Sequence, residues 1–304
     1  MSNQSGIPQQ CDIRINQQRI KGELDEMKTI DEKVLAIYNT GIEKNRLRKD
    51  LGLIEFERTK ELLLEFLPKP PAVIYDIGGG YGEYAWYLAS LGYEVHLFDI
   101  SEKNIEMSKE LASEYSGISL KAAEVADART ITRCDNSADA ILFMGPLYHI
   151  VEFDERILAL KECYRILKPS GKIFSAAITR YATTLWATSS YGEKNRLLED
   201  DDFCNMIFRE LDDGHHIKSV NSAYGGIGRS FFHLPSELKD ELFEAGFKNN
   251  DIRGVIGCGW LIPNLDEAWR NDKVRTTIME IIRKTDRDEN ILGLSTHILA
   301  ISEK

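Results

Sequence analysis

The sequence predicts an α/β fold in which a doubly wound, largely parallel sheet carries helices on both faces. Strand-like and helix-like segments alternate between residues 72 and 178. Most of the strand-like segments are rich in apolar residues, as expected when helices cover both faces of a sheet. A cluster of glycines directly follows the first of these strands, at the position where open sheets of this class bind ligands.

Two segments precede the sheet. Residues 1–23 are polar and rich in Gln and Asn, so we expect a flexible N-terminus, and they lack the apolar core of a secretion signal. Residues 24–68 carry apolar side chains at helical spacing and end at Pro68, which stops a helix. This second pattern predicts a helical cover in front of the first strand.

Residues 72–178 predict five strands and the helices that connect them. In order, the segments are the strand AVIYDI, the glycine loop, the helix EYAWYLASLG, the strand YEVHLFDI, a helix with Ser101 as its N-cap, a strand within ISLKAAEVADA, the strand ADAILFMG, the helix FDERILALKECYRILKPSG and the strand KIFSAAIT. We expect the last of these helices to end at Pro169 and Gly171.

The alternation breaks after Thr179. Residues 179–235 are mixed and largely helical, which predicts a helical cap over the substrate region. The acidic run Glu199 to Asp202 within the cap predicts a solvated helix start. Residues 236–304 predict the C-terminal part of the core, with a strand in 252–262, a helical insertion at 264–285 and a final strand in STHILAISEK.

The composition narrows the class of partner. The 304 residues include 38 basic and 49 acidic side chains, a formal net charge of −11. This negative charge opposes approach to nucleic acid or to an anionic membrane. No apolar run approaches the length of about 18 residues that a transmembrane helix needs. We therefore expect a soluble, cytoplasmic protein with neither kind of partner.

The cysteine and histidine spacings predict no metal site. The five cysteines are scattered without a CxxC pair, which favours reduced thiols. His215 and His216 are adjacent, and no third ligand stands at metal-binding spacing from them.

The glycine loop and the second strand indicate which ligand the sheet binds. A dinucleotide fingerprint starting at Gly78 needs its third glycine at position 83, where Glu83 stands and would disfavour a pyrophosphate. Asp99 ends the second strand, 21 residues after Gly78, where an acidic side chain typically accepts hydrogen bonds from ribose. A ligand with a ribose and no phosphates fits this pattern, and S-adenosylmethionine is such a ligand.

Five segments in order resemble the motifs of class I S-adenosylmethionine-dependent methyltransferases. In the first, VIYDIGGGYGEYAWYLA, the acidic and glycine positions are Asp76, Gly78, Gly80 and Gly82. The others are VHLFDIS, VADA, SADAILFMGPLYHI and LKECYRILKPSGKIFSAAI. The resemblance is dense over residues 72–178 and looser beyond. It implies a Rossmann-like seven-stranded sheet in the order 3-2-1-4-5-7-6 with the last strand antiparallel, and the helical insertion departs from that pattern.

The resemblance also implies which residues bind the methyl donor, which leaves as S-adenosylhomocysteine. They follow the first four strands and are Asp76, Gly78, Gly79, Gly80, Gly82, Asp99, Ile100, Asp127, Ala128, Met144, Gly145 and Leu147. Tyr38, Arg46 and Arg58 of the helical cover are further candidates, since an arginine fork suits the donor's carboxylate. The alternative for these three is solvated helix surface.

The segment GPLYH resembles a bacterial subgroup of small-molecule methyltransferases. In-line transfer from a sulfonium needs alignment, exclusion of water and sometimes a base, but neither a metal nor a covalent nucleophile. Tyr148 is the candidate that aligns the acceptor, His149 is the candidate base, and His233 is the second candidate. Alternatively, these side chains pack or cap the structure around them.

Three further hypotheses accompany that of a methyltransferase acting on the O, N or S atom of a small molecule, as a monomer or homodimer. One is a methyltransferase of RNA, DNA or protein, and another is a module that binds the donor without transferring its methyl group. The negative charge and the lack of an Asn/Asp-Pro-Pro-Tyr/Phe motif after the fourth strand count against nucleic acid. The last is a nicotinamide-dependent oxidoreductase, which Glu83 disfavours.

Overall fold

A computed structural model describes residues 44–218 and 228–304. The strands of these residues are β1 (Val73–Ile77), β2 (Glu94–Asp99), β3 (Ala122–Val125), β4 (Ala138–Phe143), β5 (Leu167–Ile178), β6 (His215–Ile217), β7 (Arg229–Phe231), β8 (Lys248–Gly254) and β9 (His297–Glu303). Seven of them form one sheet in the order β3-β2-β1-β4-β5-β9-β8. Only β9 runs antiparallel to its neighbours, β5 and β8. The predicted strand order and antiparallel last strand are confirmed.

Helices connect these strands and cover the sheet. They are α1 (Leu51–Phe66), α2 (Glu83–Ser90), α3 (Glu102–Leu111), α4 (Pro146–His149), α5 (Phe153–Ile166), α6 (Ala182–Thr188), α7 (Ser190–Lys194), α8 (Asp201–Asp213), α9 (Pro235–Glu244), α10 (Leu265–Arg270) and α11 (Asp272–Thr285). Ser101 caps α3 as predicted, since its hydroxyl accepts from the Asn104 backbone N–H. The acidic run supplies the start of α8, where Asp200 accepts from the Phe203 N–H.

An apolar core lies on each face of the sheet. Alternate residues of β1 divide between the two, because successive strand side chains point to opposite faces. Ile74 belongs to the core that contains Leu62 of α1 and Leu88 of α2. Tyr75 belongs to the core that contains Leu160 of α5 and Leu242 of α9. Helices on both faces therefore bury the sheet, as the apolar strands predicted.

The cap and the insertion pack as smaller units. The cap has a core of its own, formed by Ala187, Leu197, Phe203, Met206 and Ile207. The insertion packs Leu265, Ile278 and Ile282 against Ile54 of α1. The insertion thus supports the helix that precedes the first strand.

Several predicted element bounds differ in the structure. The helix expected to reach Pro169 ends at Ile166, because Leu167 already pairs with Ala138 of β4. The strand predicted within 252–262 corresponds to β8, which ends at Gly254, and residues 257–261 form a 3₁₀ helix. The hairpin of β6 and β7 lies inside the region expected to be largely helical. At Leu167 and in the β6–β7 hairpin, pairing with a neighbouring strand outweighs the local preference for a helix.

The structure also bears on the cysteines and on membrane-spanning helices. Cys163, Cys204 and Cys258 are free thiols, but Cys134 is disulfide-bonded, which corrects the expectation of reduced cysteines throughout. Among the described residues, no helix combines the length and the apolar character needed to cross a membrane.

Candidate functional site

A cavity of about 250 Å³ lies at the carboxyl edge of β1, β2 and β4. It is bounded by the glycine loop, by residues 126–129 after β3, by residues 144–152 after β4, and by Arg46 and Leu47 in front of α1. Parallel strands place their carboxyl ends at one edge of a sheet, so these loops converge although they are separate in sequence.

The glycine loop presents bare backbone to this cavity. Gly78 and Gly80 have φ of 69° and 60°, a conformation that glycine adopts without steric cost. A Cβ on Gly78 would lie 2.5 Å from Cγ of Pro146, and one on Gly79 would lie 2.5 Å from Oδ2 of Asp76. A Cβ on Gly80 would meet no atom within 4 Å. Gly80 is therefore the point at which the loop faces open space.

Asp99 ties the glycine loop to the end of β2. Its Oδ2 accepts from the backbone N–H of Gly80 at 2.8 Å. Its Oδ1 accepts from the backbone N–H of Ser101 at 2.9 Å and from Nδ2 of Asn104 at 3.0 Å. Asp99 thus fixes the conformation of the loop as well as lining the cavity.

Asp76 is the most deeply buried carboxyl group of the cavity wall, with 1% of the residue exposed. Burial, reinforced by the charge of Asp99, raises the pKa of Asp76 to about 7. An ionised carboxyl group in this place is costly unless a cation accompanies it. The wall is therefore suited to a ligand that brings positive charge.

Glu83, the first residue of α2, connects the glycine loop to the residues before α1. Its Oε1 accepts from Nε of Arg48 at 2.9 Å and from the hydroxyl of Tyr81. The Tyr81 hydroxyl in turn accepts from the backbone N–H of Asn45 at 3.0 Å. We call residues 45–50 the strap. Glu83 therefore links the strap to the glycine loop. It is the same residue whose negative charge disfavours a bound pyrophosphate.

Glu55 of α1 binds a second side chain of the strap, that of Arg46. Arg46 donates to both oxygens of Glu55, at 2.7 and 2.9 Å, and Nδ1 of His297 lies 3.4 Å from Oε2. Burial opposes ionisation of Glu55, but the charge of Arg46 and the contact with His297 outweigh it and hold the pKa of Glu55 well below the usual range. The cavity therefore has a permanently ionised, arginine-paired carboxylate on this side.

Helix α4 places Tyr148 and His149 on the cavity wall. Their rings contact each other with centroids 4.5 Å apart, and the Tyr148 ring lies 6.3 Å from that of His297. Burial, and next the charge of Arg46, lower the pKa of His149 to about 3. His149 is neutral at ordinary pH, so it can exchange hydrogen bonds but accepts a full proton poorly.

Two arginine pairs form another part of the wall. Arg129 donates to Oδ2 of Asp127 and to Oε2 of Glu155, both at 2.6 Å. Arg229 of β7 lies 3.3 Å from Glu152. Arg229 is also the cavity-lining residue of the cap among the described residues 179–218 and 228–235. The cap thus supplies a charged side chain to this part of the wall.

Most of the predicted site residues converge on the cavity. Those that line it are Asp76, Gly78, Gly79, Gly80, Asp99, Ile100, Asp127, Ala128, Met144, Gly145, Arg46, Tyr148 and His149. Tyr38 lies outside the described residues.

Four predicted residues are placed elsewhere, for reasons of packing. Gly82 is the N-cap of α2 and supports the turn, since a Cβ there would lie 2.9 Å from Leu97. Leu147 is buried in the core beneath α4. Arg58 is buried between Glu61 and Asp286, and His233 is buried against Glu241. None of the four lines the cavity, so we assign them no contact with a ligand.

Sequence reasoning missed Arg48, Glu55, Arg129, Arg229 and His297. Each lies in the cavity wall or beside it, either because it pairs with a residue distant in the chain or because its element carries no recognisable motif. The i, i+2 pair Asp127 and Arg129 offered a local signal, because both flank one turn. No spacing pointed to the pairing of Glu55 with His297. Among the described residues there is no group of three side chains able to hold a metal ion.

The known proteins that this chain resembles are named as methyltransferases. Residues 75–175 match the model of a methyltransferase domain. The chain is 32% identical over 184 residues to a ubiquinone biosynthesis O-methyltransferase of Chelativorans sp. (strain BNC1), covering 60% of this chain and 61% of that one. It is 28% identical over 171 residues to a human protein named probable tRNA methyltransferase 9B, covering 53% of this chain and 32% of that one.

A solved structure has the same fold. The crystal structure of an S-adenosylmethionine-dependent methyltransferase from Methanosarcina mazei superimposes with a TM-score of 0.52 at 18% identity, covering 80% of this chain and 96% of that one. This similarity concerns the fold alone. The chain spans 61% of the length of the first sequence relative and 32% of the second.

Proposed function

We propose that this chain is a class I S-adenosylmethionine-dependent methyltransferase that transfers a methyl group to a small-molecule acceptor, because residues 75–175 match a methyltransferase domain and the sequence relatives are named as methyltransferases. The observation that carries this proposal is the wall formed by Gly80 and its neighbours, where backbone faces open cavity beside Asp99. A ligand can approach the backbone there more closely than any side chain would permit.

Charge supports this donor. The cavity wall carries the carboxyl groups of Asp76, Glu83 and Asp99 close to the glycine loop. A donor with an ammonium and a sulfonium group supplies the positive charge that would lower the raised pKa of Asp76 and let it ionise. A pyrophosphate would add negative charge to the same wall and would be repelled.

Transfer itself is an in-line displacement in which the acceptor atom attacks the methyl carbon and the sulfonium leaves as a neutral thioether. This chain's residues align the acceptor and exclude water. In our proposal Tyr148 orients the acceptor and His149, neutral because of its depressed pKa, accepts a hydrogen bond from it. An acceptor that is already nucleophilic at neutral pH needs no stronger base.

A macromolecular acceptor is the second candidate. One relative is named a probable tRNA methyltransferase, which favours RNA, but it is matched over only 32% of its length. The net charge of −11 opposes RNA, whose binding depends on neutralising phosphates. The relative matched over more of both chains is named for the biosynthesis of a small molecule, ubiquinone. A module that binds the donor without transfer also fits the cavity and is separated by the experiment below.

The proposed binding of the methyl donor at the glycine loop is tested with S-adenosylhomocysteine and two matched glycine variants. Gly80 and Gly117 both have positive φ, 60° and 79°, and a Cβ on either meets nothing within 4 Å. Only Gly80 lines the cavity. Both Ala substitutions should cost about 1 kcal/mol of backbone strain. Gly80→Ala should weaken S-adenosylhomocysteine binding about tenfold or more because its methyl group occupies ligand space, and Gly117→Ala should bind as the wild type does.

Transfer is tested by incubating the wild type with methyl-labelled donor and, separately, a metabolite extract, bulk tRNA and a protein mixture. Label in the metabolite fraction is the expected result. Label in tRNA or protein alone would overturn the small-molecule proposal. Binding of S-adenosylhomocysteine with no transfer to any fraction would favour the non-catalytic module. A melting temperature raised by NAD and not by S-adenosylhomocysteine would overturn the proposal that S-adenosylmethionine is the ligand.

A further inference from the structure

Arg156 of α5 holds the cavity wall from behind. It is 2% exposed, and its Nη1 donates to the carbonyl oxygen of Val151 at 2.6 Å and to that of Ile150 at 3.2 Å. Both carbonyls belong to residues that line the cavity and directly follow α4, which carries Tyr148 and His149. Arg156 itself lies outside the cavity wall.

The remaining donors of Arg156 bind a different element. Nε and Nη2 donate to Oε1 of Glu241 on α9, at 2.9 and 2.7 Å. The centroid of the Phe231 ring, on β7 of the cap, lies 3.9 Å from the guanidinium carbon. One buried side chain thus joins the cavity wall, α9 and the cap hairpin.

His233 completes this cluster. Its Nε2 lies 3.2 Å from Oε2 of Glu241, and its ring packs edge-on against Phe231 at 4.7 Å. Its backbone N–H donates to the carbonyl oxygen of Ile178 at the end of β5, so the sheet fixes its position. His233, the second candidate named from the sequence, therefore contacts Glu241 instead of lining the cavity.

We propose, resting on the proposed function, that Arg156, Glu241 and His233 form a positioning cluster that fixes residues 148–151 as a rigid wall of the methyl-transfer cavity. A buried arginine is costly unless its charge is paired and its donors are satisfied. A guanidinium can chelate one carboxylate and still donate to two carbonyls, whereas a lysine ammonium cannot reproduce this fork. The cluster acts through the backbone of the wall and touches no ligand.

The chain offers a matched control for this cluster. Arg253 is also buried, at 4% exposed, and pairs with Asp286 at 3.1 Å and Asp251 at 3.0 Å. It is absent from the cavity wall. Arg253→Lys therefore removes a comparable buried fork without disturbing residues 148–151, and it reports the general cost of such a change.

The test is amide hydrogen exchange of Arg156→Lys, Arg253→Lys and the wild type, with and without S-adenosylhomocysteine. Arg156→Lys should speed exchange in residues 148–152 about tenfold and abolish the protection that S-adenosylhomocysteine gives them, while the glycine loop stays protected. Arg253→Lys should leave residues 148–152 as in the wild type. Glu241→Gln, which keeps an oxygen for Arg156 but not the charge, should give an intermediate effect and serves if Arg156→Lys does not fold.

Two outcomes overturn the inference. One is unchanged exchange of residues 148–152 in both Arg156→Lys and Glu241→Gln. The other is an increase spread evenly over α5, α9 and the sheet, which would mean that the cluster only stabilises the fold. If S-adenosylhomocysteine protects the glycine loop in no protein, including the wild type, the proposed donor fails, and ligand-free exchange of residues 148–152 still decides the role of the cluster.

Discussion

Arg48 donates to the carboxylate of Glu83 at 2.9 Å and so fastens the strap to the wall that carries the glycine loop. The side chain of Glu83 is 5% exposed, whereas that of Glu114, the second partner of Arg48 at 3.2 Å, is 54% exposed. The two pairs share one guanidinium and differ in burial. The strap is thus held by one interior and one surface interaction of the same side chain.

Glu83→Gln should lower the free energy of unfolding by about 1–3 kcal/mol, because it weakens a buried network that includes Tyr81. Glu114→Gln should lower it by about 0.5 kcal/mol or less, because exposed ion pairs contribute little. Urea unfolding of both variants at one pH and ionic strength checks the difference. Equal losses would contradict the importance of burial at the strap.

Asp76→Asn should stabilise the ligand-free protein at alkaline pH. The pKa of Asp76 is about 7 in the folded protein against an ordinary 3.8, so the folded state keeps a proton that the unfolded state loses. Stability is therefore fully present below about pH 4 and is lost as pH rises towards 7. The variant removes this loss and should gain about 1–3 kcal/mol at pH 8 and little at pH 4.

Urea unfolding at several pH values measures this effect, and Asp139 provides the control. Burial raises the pKa of Asp139, but the hydrogen bonds from Lys168 and the Val73 N–H outweigh burial, so the pKa of Asp139 lies below its usual range. Asp139→Asn should therefore lose stability at pH 8 rather than gain it. A stability gain for Asp76→Asn that is the same at all pH values would show that titration of Asp76 is not its cause.

His149→Asn should flatten the loss of stability in acid. Burial and the charge of Arg46 lower the pKa of His149 to about 3, so between pH 6.5 and 3 the unfolded state binds a proton that the folded state does not. Stability contributed by neutral His149 is present above pH 6.5 and is lost as pH falls. Unfolding free energies at pH 5, 6 and 7 check the slope, and a variant slope equal to that of the wild type would contradict the prediction.

The fold was largely predictable because its signals are local. The strand alternation, the apolar strands and the turn chemistry of Gly78 to Gly82 all act within a few residues of the chain. Where local signals met a competing long-range pairing, prediction was wrong. Helix propensity and Pro169 indicated a helix reaching the proline and a strand beginning at Lys172, but Leu167 pairs with Ala138 and already begins β5.

The site was predictable where it follows strand ends and obscure where it depends on distant partners. Asp76 and Asp99 lie near the carboxyl ends of neighbouring parallel strands, so their meeting at one edge follows from the topology. Arg46 and Arg58 carry the same chemistry in the same cover, yet Arg46 reaches the cavity and Arg58 pairs with Asp286 in the interior. Composition and spacing gave no means to distinguish the two arginines.

The sequence by itself determined the class of fold and the edge at which the cavity lies, since these follow from periodicity and local turn geometry. Its resemblance to a family added the order of the strands. Only the tertiary structure decided which charged side chains meet, as in the pairing of Arg48 with Glu83 and of Arg156 with Glu241. Such pairs join elements far apart in the chain, and their geometry depends on how whole helices pack against the sheet.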